Sequence, residues 1–465
     1  MEKRILPNVA SFLVSEDCNL ACTYCFELEG RKNCNKHMTK EVARKGLEYL
    51  CENAIKNGED HFSAMLFGGE PLINPDIVEE ILRYGVELAR KNNIHFTASM
   101  VTNATILTDR IKYILSKYMH TTQLNVQLSV DGIKEIHDQY RVTKGGKGSF
   151  DMIEKNLDGW KELFSDNINA LSLHGCSNKE TLPYLFENYK FFREEWNIPR
   201  IWFLPIHSEE NWTKEDVGIY EEQLTKIMDY TLECAKRDGN YQEVLNYAPL
   251  DRCMSPDVRP SAPCGAGKSF ITITAEGEIY PCHSFYYNDP EKTTKIGDVW
   301  EGIDEASREI FVKYDNEDMS CSKECPDCDA YQCYRCIADN WAMNGSIFSQ
   351  IRGYRCEMSL VERKLHLKLR EELTKMGLLD KDNFNSNGVG NNPNNPNCLC
   401  DMRTNDNDKH QNNSHVNLEN TNSNKICGCG NSEKDGVVEY ALAVILKKLD
   451  SLEAGQDLIL KRLLK

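Results

Sequence analysis

The sequence has no long apolar run and no excess of basic residues. Its 465 residues contain no stretch near the roughly 18 consecutive apolar residues that a membrane-spanning helix needs. Near the start, Pro7, Asn8 and Ser11 interrupt the apolar stretch, which argues against a signal peptide. Lys and Arg number 55 against 72 Asp and Glu, and the net charge of −17 disfavours nucleic acid, because phosphate binding needs clustered cations. We therefore expect a cytoplasmic protein with neither a membrane nor a nucleic-acid partner.

Cysteine, in contrast, is abundant. The chain has 20 cysteines, and disulfides are rare in a reducing compartment. Metal sites are a better explanation of cysteines at regular short spacings. Four cysteines stand alone, and we interpret them as core or surface residues without a chemical role, since free Cys is often buried: Cys34, Cys51, Cys176 and Cys234.

Three cysteines near the N-terminus, Cys18, Cys22 and Cys25, have the spacing C-x3-C-x2-C. A [4Fe–4S] cluster is normally held by four thiolates, so three leave one iron open to a ligand that is not protein. That ligand can be the reactant itself. The alternative is zinc, which usually takes four protein ligands, and no nearby His completes such a set. The spacing therefore predicts a catalytic iron–sulfur cluster.

With Tyr24 before the third cysteine, this motif resembles that of the radical S-adenosylmethionine (radical SAM) superfamily. The resemblance implies that Cys18, Cys22 and Cys25 ligate the cluster and that its open iron binds the amino and carboxyl groups of SAM. An electron from the cluster would then cleave SAM to methionine and a 5′-deoxyadenosyl radical, which abstracts a substrate hydrogen. Tyr24 matches the aromatic position near the adenine.

Apolar runs alternate with amphipathic, helix-like stretches such as Thr39–Asn57 and Pro75–Lys91, with Thr39 as an N-cap. This alternation predicts an α/β fold with a parallel sheet and outer helices. The resemblance implies a partial (β/α)6 radical SAM barrel over residues 1–235, with its chemistry at the C-terminal strand ends. The candidate strands are Val9–Val14, Phe62–Phe67, His95–Thr102, Leu124–Val130, Ala170–His174 and Ile201–Ile206.

Several motifs follow these strands. Gly68-Gly69-Glu70-Pro71 resembles the family's GGEP motif, whose backbone and Glu bind the SAM amino group; alone, it would also suit a plain turn. Asn103 belongs to a segment that resembles T-N-G, although Ala104 replaces the Gly. The further matches are Ser129 and Asp131 of S-x-D-G, then Arg141 of H-D-x-x-R. The resemblance implies that Ser129 contacts the ribose or carboxylate region of SAM and Arg141 its carboxylate. A helix-start turn and a surface Arg are the alternative.

For residues 144–149 we expect a flexible loop, because the spacing is not that of a P-loop.

A second cysteine group begins at Cys264, and a hairpin turning at Gly277 would bring Cys264 and Cys282 together. The group resembles the SPASM domain, here expected over residues 250–376, which implies two auxiliary [4Fe–4S] clusters. The first would use Cys264, Cys282 and Cys336, and the second Cys325, Cys328, Cys333 and Cys356. Two gaps depart from the pattern by one residue, so an exchange of Cys333 and Cys336 stays open. Cys253, Cys321 or a substrate thiolate would complete the first cluster. Zinc suits the spacing from Cys325 to Cys336 but leaves Cys264 and Cys282 unexplained.

Beyond residue 376 the composition changes. Residues 377–436 are rich in Asn and predict a disordered linker, since such a segment cannot bury enough apolar surface. Residues 437–465 have heptad-like apolar spacing and predict an amphipathic helix. The linker carries two C-x-C pairs whose role stays open between thiol relay, metal binding and none: Cys398 with Cys400, and Cys427 with Cys429.

The two cysteine groups together are typical of peptide-modifying enzymes. The whole chain most resembles maturases of Cys-rich precursor peptides, which implies thioether formation, with a flavodoxin or ferredoxin as electron donor. The alternative is a formylglycine-forming sulfatase maturase; there an Asp acts as the base where this chain has His283. An iron–sulfur electron carrier and a precursor-peptide scaffold are alternatives of another class.

Overall fold

The computed structural model describes residues 5–25, 27, 36–206, 212–239, 264–289, 291–313, 336–348 and 353–379. Most of them surround one sheet of ten strands. Apart from residues 377–379, the expected Asn-rich linker with its four cysteines lies outside these ranges, and so does the expected C-terminal helix. Within the described residues, no helix is long and apolar enough to cross a membrane.

Six parallel strands form the larger part of the sheet and confirm the predicted runs. They pair in chain order, so that each strand lies beside the next. Their apolar residues are almost wholly buried, because helices cover the outer face of a parallel sheet. The strands are β1 (Val9–Ser15), β2 (His61–Gly68), β3 (His95–Thr102), β4 (Asn125–Ser129), β5 (Leu171–Ser177) and β6 (Arg200–Pro205).

Helices connect these strands. The predicted cap at Thr39 is confirmed, since its hydroxyl accepts from the Val42 N–H at 3.2 Å. Gly58 ends the same helix with a φ of 80°, which glycine adopts without strain. The helices are α1 (Lys40–Asn57), α2 (Pro75–Asn92), α3 (Asp109–Tyr118), α4 (Lys134–Tyr140), α5 (Phe150–Leu163), α6 (Leu185–Glu194) and α7 (Lys214–Asp238).

The second cysteine group extends the same sheet. Strand β7 (Phe270–Ile273) pairs in parallel with β1 on the edge opposite β2, and β8 (Glu278–Tyr280) returns antiparallel to β7. The predicted hairpin is confirmed, and its turn residue Gly277 has a φ of 86°. Ser11 and Thr272 join β1 to β7 through a buried hydroxyl–hydroxyl hydrogen bond of 2.5 Å. The SPASM-like segment is thus anchored directly to the barrel.

Two further strands and four helices follow the hairpin. Strands β9 (Gly297–Asp298) and β10 (Gly302–Ile303) complete the sheet, and helices α8 (His283–Asn288), α9 (Glu305–Lys313), α10 (Ile337–Asn344) and α11 (Tyr354–Lys375) follow in the chain. Helix α11 packs on α7, where the Tyr220 hydroxyl donates to Glu362 at 2.8 Å. The chain therefore returns to the barrel after the second cysteine group.

Candidate active site

The loop that carries the first three cysteines follows β1 and lies against the Gly68-Gly69-Glu70 turn after β2. The Gly69 N–H donates to the Ser15 carbonyl at 2.8 Å, and the Glu70 N–H donates to the Asp17 carbonyl at 2.9 Å. A Cβ at residue 69 would lie 2.2 Å from the Asp17 oxygen, which no side chain can occupy. Glycine is therefore required at residue 69 because the two turns pack too closely for any Cβ.

Cys18 is buried, and two N–H groups are directed at its sulfur. The backbone N–H of Leu20 lies 3.4 Å from Sγ, and the side-chain amide of Asn103 lies 3.7 Å from it. Cys22 and Cys25 are half-buried, and the Cys25 N–H donates to the Cys22 carbonyl at 3.1 Å. The three cysteines therefore share one tight loop at the C-terminal end of the barrel strands, as predicted.

Glu70 is fully buried and ties its turn to the end of β3. Its carboxylate accepts from the N–H groups of Leu72 and Asn103 and from the Thr102 hydroxyl, at 2.7 to 3.0 Å. Burial raises the pKa of Glu70 to about 7 despite these three donors. A carboxylate can accept about four hydrogen bonds, so these three donors leave one accepting direction of Glu70 unused. Pro71 begins a short buried 3-10 turn directly after it.

Asn103 connects β3 to the cysteine loop. Besides Cys18, its side-chain amide donates to the Asn19 side-chain oxygen at 2.8 Å. The next residue, Ala104, has a φ of 62°, where an L-residue costs about 1–2 kcal/mol relative to a right-handed one. Ala104 therefore adopts a left-handed conformation that glycine would adopt without this cost.

On the opposite side of the loop, the carboxylate of Asp131 contacts two other predicted site residues, Tyr24 and Arg141. The Tyr24 hydroxyl donates to it at 2.5 Å, and Arg141 Nε lies 3.0 Å away without an N–H directed at the oxygen. The guanidinium carbon also lies 5.5 Å from the centre of the Tyr24 ring, within the range of a cation–π contact. Ser129 is buried at the end of β4, two residues before Asp131.

This group is buried and charged. Burial lowers the pKa of Arg141, but the carboxylate of Asp131 outweighs it, so that the pKa is well above its usual value. Burial, followed by the effect of Asp131, raises the pKa of Tyr24 well above 10. Arg141 therefore stays cationic and Tyr24 neutral.

The expectation that Cys176 lies apart from the site is wrong. Its backbone N–H donates to Asp131 at 3.0 Å, and its thiol interacts with Tyr24 and Arg141. Burial and then Asp131 raise the pKa of Cys176 to about 12, which keeps the thiol protonated. The sequence does contain an indication of this. Side chains alternate between the two faces of a strand, and β5 extends beyond its predicted end, so His174 and Cys176 lie on the same face. Cys51 and Cys234 are buried core residues, as expected.

His137, in helix α4, forms hydrogen bonds that support the group around Asp131 and Arg141. Its Nδ1 accepts from the Asp131 backbone N–H at 3.3 Å, so Nε2 carries the proton and donates to the Ser149 hydroxyl at 2.9 Å. Ser149 in turn donates to the Arg141 carbonyl at 2.7 Å. Burial lowers the pKa of His137 to about 4, which keeps the ring neutral.

The residues expected to form a flexible loop, 144–149, lie within a hydrogen-bonded turn. The Thr143 N–H donates to the Lys147 carbonyl at 2.7 Å, and Val142 and Gly148 form an antiparallel bridge. The N–H of Ala21 donates to Val142 at 2.7 Å, which attaches the turn to the cysteine loop.

The second cysteine group faces the same end of the barrel. Cys264, Cys282 and Cys336 interact electrostatically, and burial, then Cys264, raises the pKa of Cys282 to about 12. Cys282 packs with Phe67 and Val101 against the small apolar cluster inside the barrel. Cys356 lies in the first turn of α11. The other predicted ligands and candidates lie outside the described residues: Cys325, Cys328, Cys333, Cys253 and Cys321, as does Cys34.

His283 connects the second cysteine group to the C-terminal end of β2. It follows Cys282, and its ring centre lies 4.5 Å from that of Phe67 at the end of β2. Burial lowers the pKa of His283 to about 4, so the imidazole is neutral.

Residues 12–183 match the family model of the radical SAM superfamily. Residues 12–183 therefore form a radical SAM domain. Over 290 residues it is 28% identical to the cysteine-type anaerobic sulfatase-maturating enzyme of Clostridium novyi (strain NT), an overlap of 60% of this chain and 73% of that one. Over 290 residues it is 25% identical to the antilisterial bacteriocin subtilosin biosynthesis protein AlbA of Bacillus subtilis (strain 168), covering 60% of this chain and 56% of that one.

Solved structures share the fold. The structure of native anSMEcpe with bound AdoMet and Cp18Cys peptide matches with a TM-score of 0.61 and 19% identity, over 80% of this chain and 100% of that one. The predicted partial barrel with its α/β architecture is therefore confirmed.

A radical SAM domain implies one [4Fe–4S] cluster and SAM. The residues fit both groups. N–H donors directed at Cys18 Sγ are the kind of contact that stabilises a cluster thiolate. The buried Arg141 is a permanent cation, suited to a carboxylate. Among the described residues, no group of three His, Cys, Asp or Glu side chains is placed to hold a single metal ion.

Replacing Asp131 by Asn is expected to destabilise this radical SAM domain by about 3–5 kcal/mol, because Arg141 would keep a buried charge without its carboxylate. Urea unfolding, followed by circular dichroism under anaerobic conditions, measures the change. Asp158→Asn, at an exposed position of α5, is the control and should stay within about 0.5 kcal/mol of the unmodified protein. Equal stability of the two variants would contradict the role given to Asp131.

The lowered pKa of His137 predicts that the free energy of unfolding depends on pH. Because folding lowers its pKa from 6.5 to about 4, its contribution is complete above pH 6.5 and is lost as the pH falls towards 4. The loss corresponds to about 3 kcal/mol. His137→Gln keeps a donor and an acceptor but cannot titrate, so the free energy of unfolding should fall less steeply over this range than in the unmodified protein. His120→Gln, at an exposed position, should leave the slope unchanged.

Proposed function

We propose that this protein is a radical SAM peptide maturase that forms thioether links between Cys sulfur and carbon in a Cys-rich, ribosomally made precursor peptide. One observation carries the proposal. Cys282, in the second cysteine group, packs against residues inside the barrel, and His283 after it contacts Phe67 at the strand end that leads into the Gly68-Gly69 turn. A thiol-binding centre and a radical source would therefore serve one substrate site.

The relatives support a peptide or protein substrate. One is named as a sulfatase-maturating enzyme and another as a biosynthesis protein for a bacteriocin. The solved structure of similar fold holds AdoMet together with a Cys-containing peptide, Cp18Cys. We therefore expect this chain to bind an extended peptide at the C-terminal end of its barrel.

The site residues would divide the work as follows. Cys18, Cys22 and Cys25 would hold the cluster, which when bound supplies the electron that cleaves SAM. Arg141 would orient the SAM carboxylate, and the open direction on Glu70 would accept from its ammonium group. Tyr24, held by Asp131, would pack on the adenine.

The second group would hold two auxiliary [4Fe–4S] clusters, the first with Cys264, Cys282 and Cys336 and the second with Cys325, Cys328, Cys333 and Cys356. An open position at the first would keep a substrate thiol deprotonated, since metal binding lowers the pKa of a thiol. Thioether formation replaces one S–H and one C–H bond by one S–C bond, so two electrons and two protons leave the peptide. A flavodoxin or ferredoxin would supply the electron for SAM cleavage.

Formylglycine formation is the second candidate, favoured by the sulfatase-maturating relative that overlaps 60% of this chain. In this chain His283 stands where the sulfatase class uses an Asp base. A neutral imidazole can accept a proton, and the lowered pKa of His283 keeps it neutral. The two reactions differ in what happens to the Cys sulfur. A thioether keeps it, whereas formylglycine formation from Cys removes it and leaves an aldehyde.

Replacing Cys18, Cys22 and Cys25 together by Ala should reduce 5′-deoxyadenosine production from SAM to background. Cys282→Ala should keep that production but stop modification of the peptide, because it changes the thiol-binding centre alone. The measurement is anaerobic incubation with dithionite and SAM, followed by chromatography. Cys51→Ala, in the core of α1, is the control and should retain both activities. SAM cleavage by the triple variant would contradict the cluster assignment.

The product should be lighter than its precursor by two hydrogens per link and should react with fewer equivalents of a thiol-alkylating reagent. Co-expression with small Cys-rich reading frames, followed by mass spectrometry, measures both. A product that reacts with hydrazine reagents and has lost sulfur would instead identify formylglycine formation. A product that keeps all its thiols would contradict thioether formation.

A further inference from the structure

Asp17 and Lys144 form an ion pair directly beside the first cluster ligand. The Asp17 carboxylate oxygen Oδ1 accepts from the Cys18 backbone N–H at 2.8 Å and from Lys144 Nζ at 2.9 Å. One oxygen atom thus connects a surface cation to the backbone of Cys18. The side chain of Asp17 is 29% exposed and that of Lys144 is 62% exposed, so the pair lies at the protein surface.

The backbone around Asp17 is fixed from two directions. Its N–H donates to the Ser15 hydroxyl at 3.1 Å, and its carbonyl accepts from Glu70 at 2.9 Å. Neither of these bonds uses the Asp17 carboxylate, which accepts from the Cys18 N–H. The direction of that carboxylate then depends on Lys144.

Lys144 belongs to the turn that is attached to the cysteine loop. Thr143 forms an antiparallel bridge with Leu20, and Val142 accepts from Ala21 at 2.7 Å. Lys144 follows Thr143 directly, so its backbone has a defined position relative to Asp17. A freely moving surface lysine would lack this anchor.

The charges matter because reduction adds an electron to the cluster. A carboxylate beside a cluster ligand disfavours the reduced form, and a cation beside the carboxylate offsets that effect. The chain has a net charge of −17, which adds to the cost of reduction. Screening by salt weakens interactions of exposed charges, so the effect is largest at low ionic strength.

We propose that Lys144 is a positioning residue for the radical SAM cluster: it fixes the Asp17 carboxylate on the Cys18 N–H and compensates the charge of that carboxylate, which raises the reduction potential of the cluster. The proposal rests on ligation by Cys18, Cys22 and Cys25 and does not depend on the identity of the peptide.

The test compares Lys144→Met, Asp17→Asn and the double variant in the full-length holoprotein. Asn keeps an acceptor for the Cys18 N–H, and Met keeps the apolar stem of Lys. We expect a more negative potential in Lys144→Met, a less negative one in Asp17→Asn, and a value near that of the unmodified protein in the double variant. Anaerobic redox titration at low salt, followed by electron paramagnetic resonance, measures the potential. The control is Lys147→Met, at an exposed position of the same turn, with no expected shift.

Iron content per chain provides the second measurement. If Lys144→Met loses the cluster, Lys144→Arg should retain it, because a cation is restored. Loss in both variants, or shifts of the same sign in Lys144→Met and Asp17→Asn, would overturn the proposal. The expected shifts together with an unmodified peptide would support the pair and contradict the proposed maturase function.

Discussion

The close contact of two backbone turns is the constraint on which the site depends. The parallel pairing of β1 with β2 sets their C-terminal ends side by side, so that Gly69 faces the carbonyl of Asp17 with no room for a Cβ. Two backbone hydrogen bonds then close the contact. The path of the cysteine loop is therefore set by the second strand as much as by the first. Asn103, at the end of the third, adds the next contact to Cys18.

A second constraint is electrostatic. Asp131 and Arg141 are both nearly excluded from water, and a buried ion is costly without its partner. Tyr24 and the N–H of Cys176 use further acceptor positions of the carboxylate, so Asp131 is engaged within the protein. Arg141 has five N–H donors, and its Nε lies 3.0 Å from the Asp131 carboxylate. Its remaining donors can meet a ligand carboxylate with the side chain already ordered, which lowers the entropic cost of binding.

Much of this architecture is predictable from local pattern. The six strands, the Thr39 cap and the Gly277 hairpin follow from periodicity and turn chemistry, which act over a few residues. The pairing of β7 with β1 does not, because it joins residues about 260 positions apart and both strands have the same apolar pattern. The ion pair of Lys144 with Asp17 is not predictable for the same reason, because the two residues are 127 positions apart. For Cys176, alternation along β5 indicates a shared face with His174, but not the hydrogen bond to Asp131. The long-range motifs were recognised only because their combination resembles a family.

The pairing of β7 with β1 also bears on selectivity. If the second cysteine group were joined to the barrel by a linker alone, its thiols would occupy many positions relative to the radical source. Four residue pairs and the Ser11–Thr272 hydrogen bond instead hold the hairpin against β1. Cys264 and Cys282 flank that hairpin, so they share its fixed position. A radical reacts with whatever it touches first, and effective positioning within a few ångströms is what makes such chemistry selective. Strand pairing therefore holds the hairpin, with Cys264 and Cys282 at its two ends, in a fixed position against β1, which a flexible tether could not do.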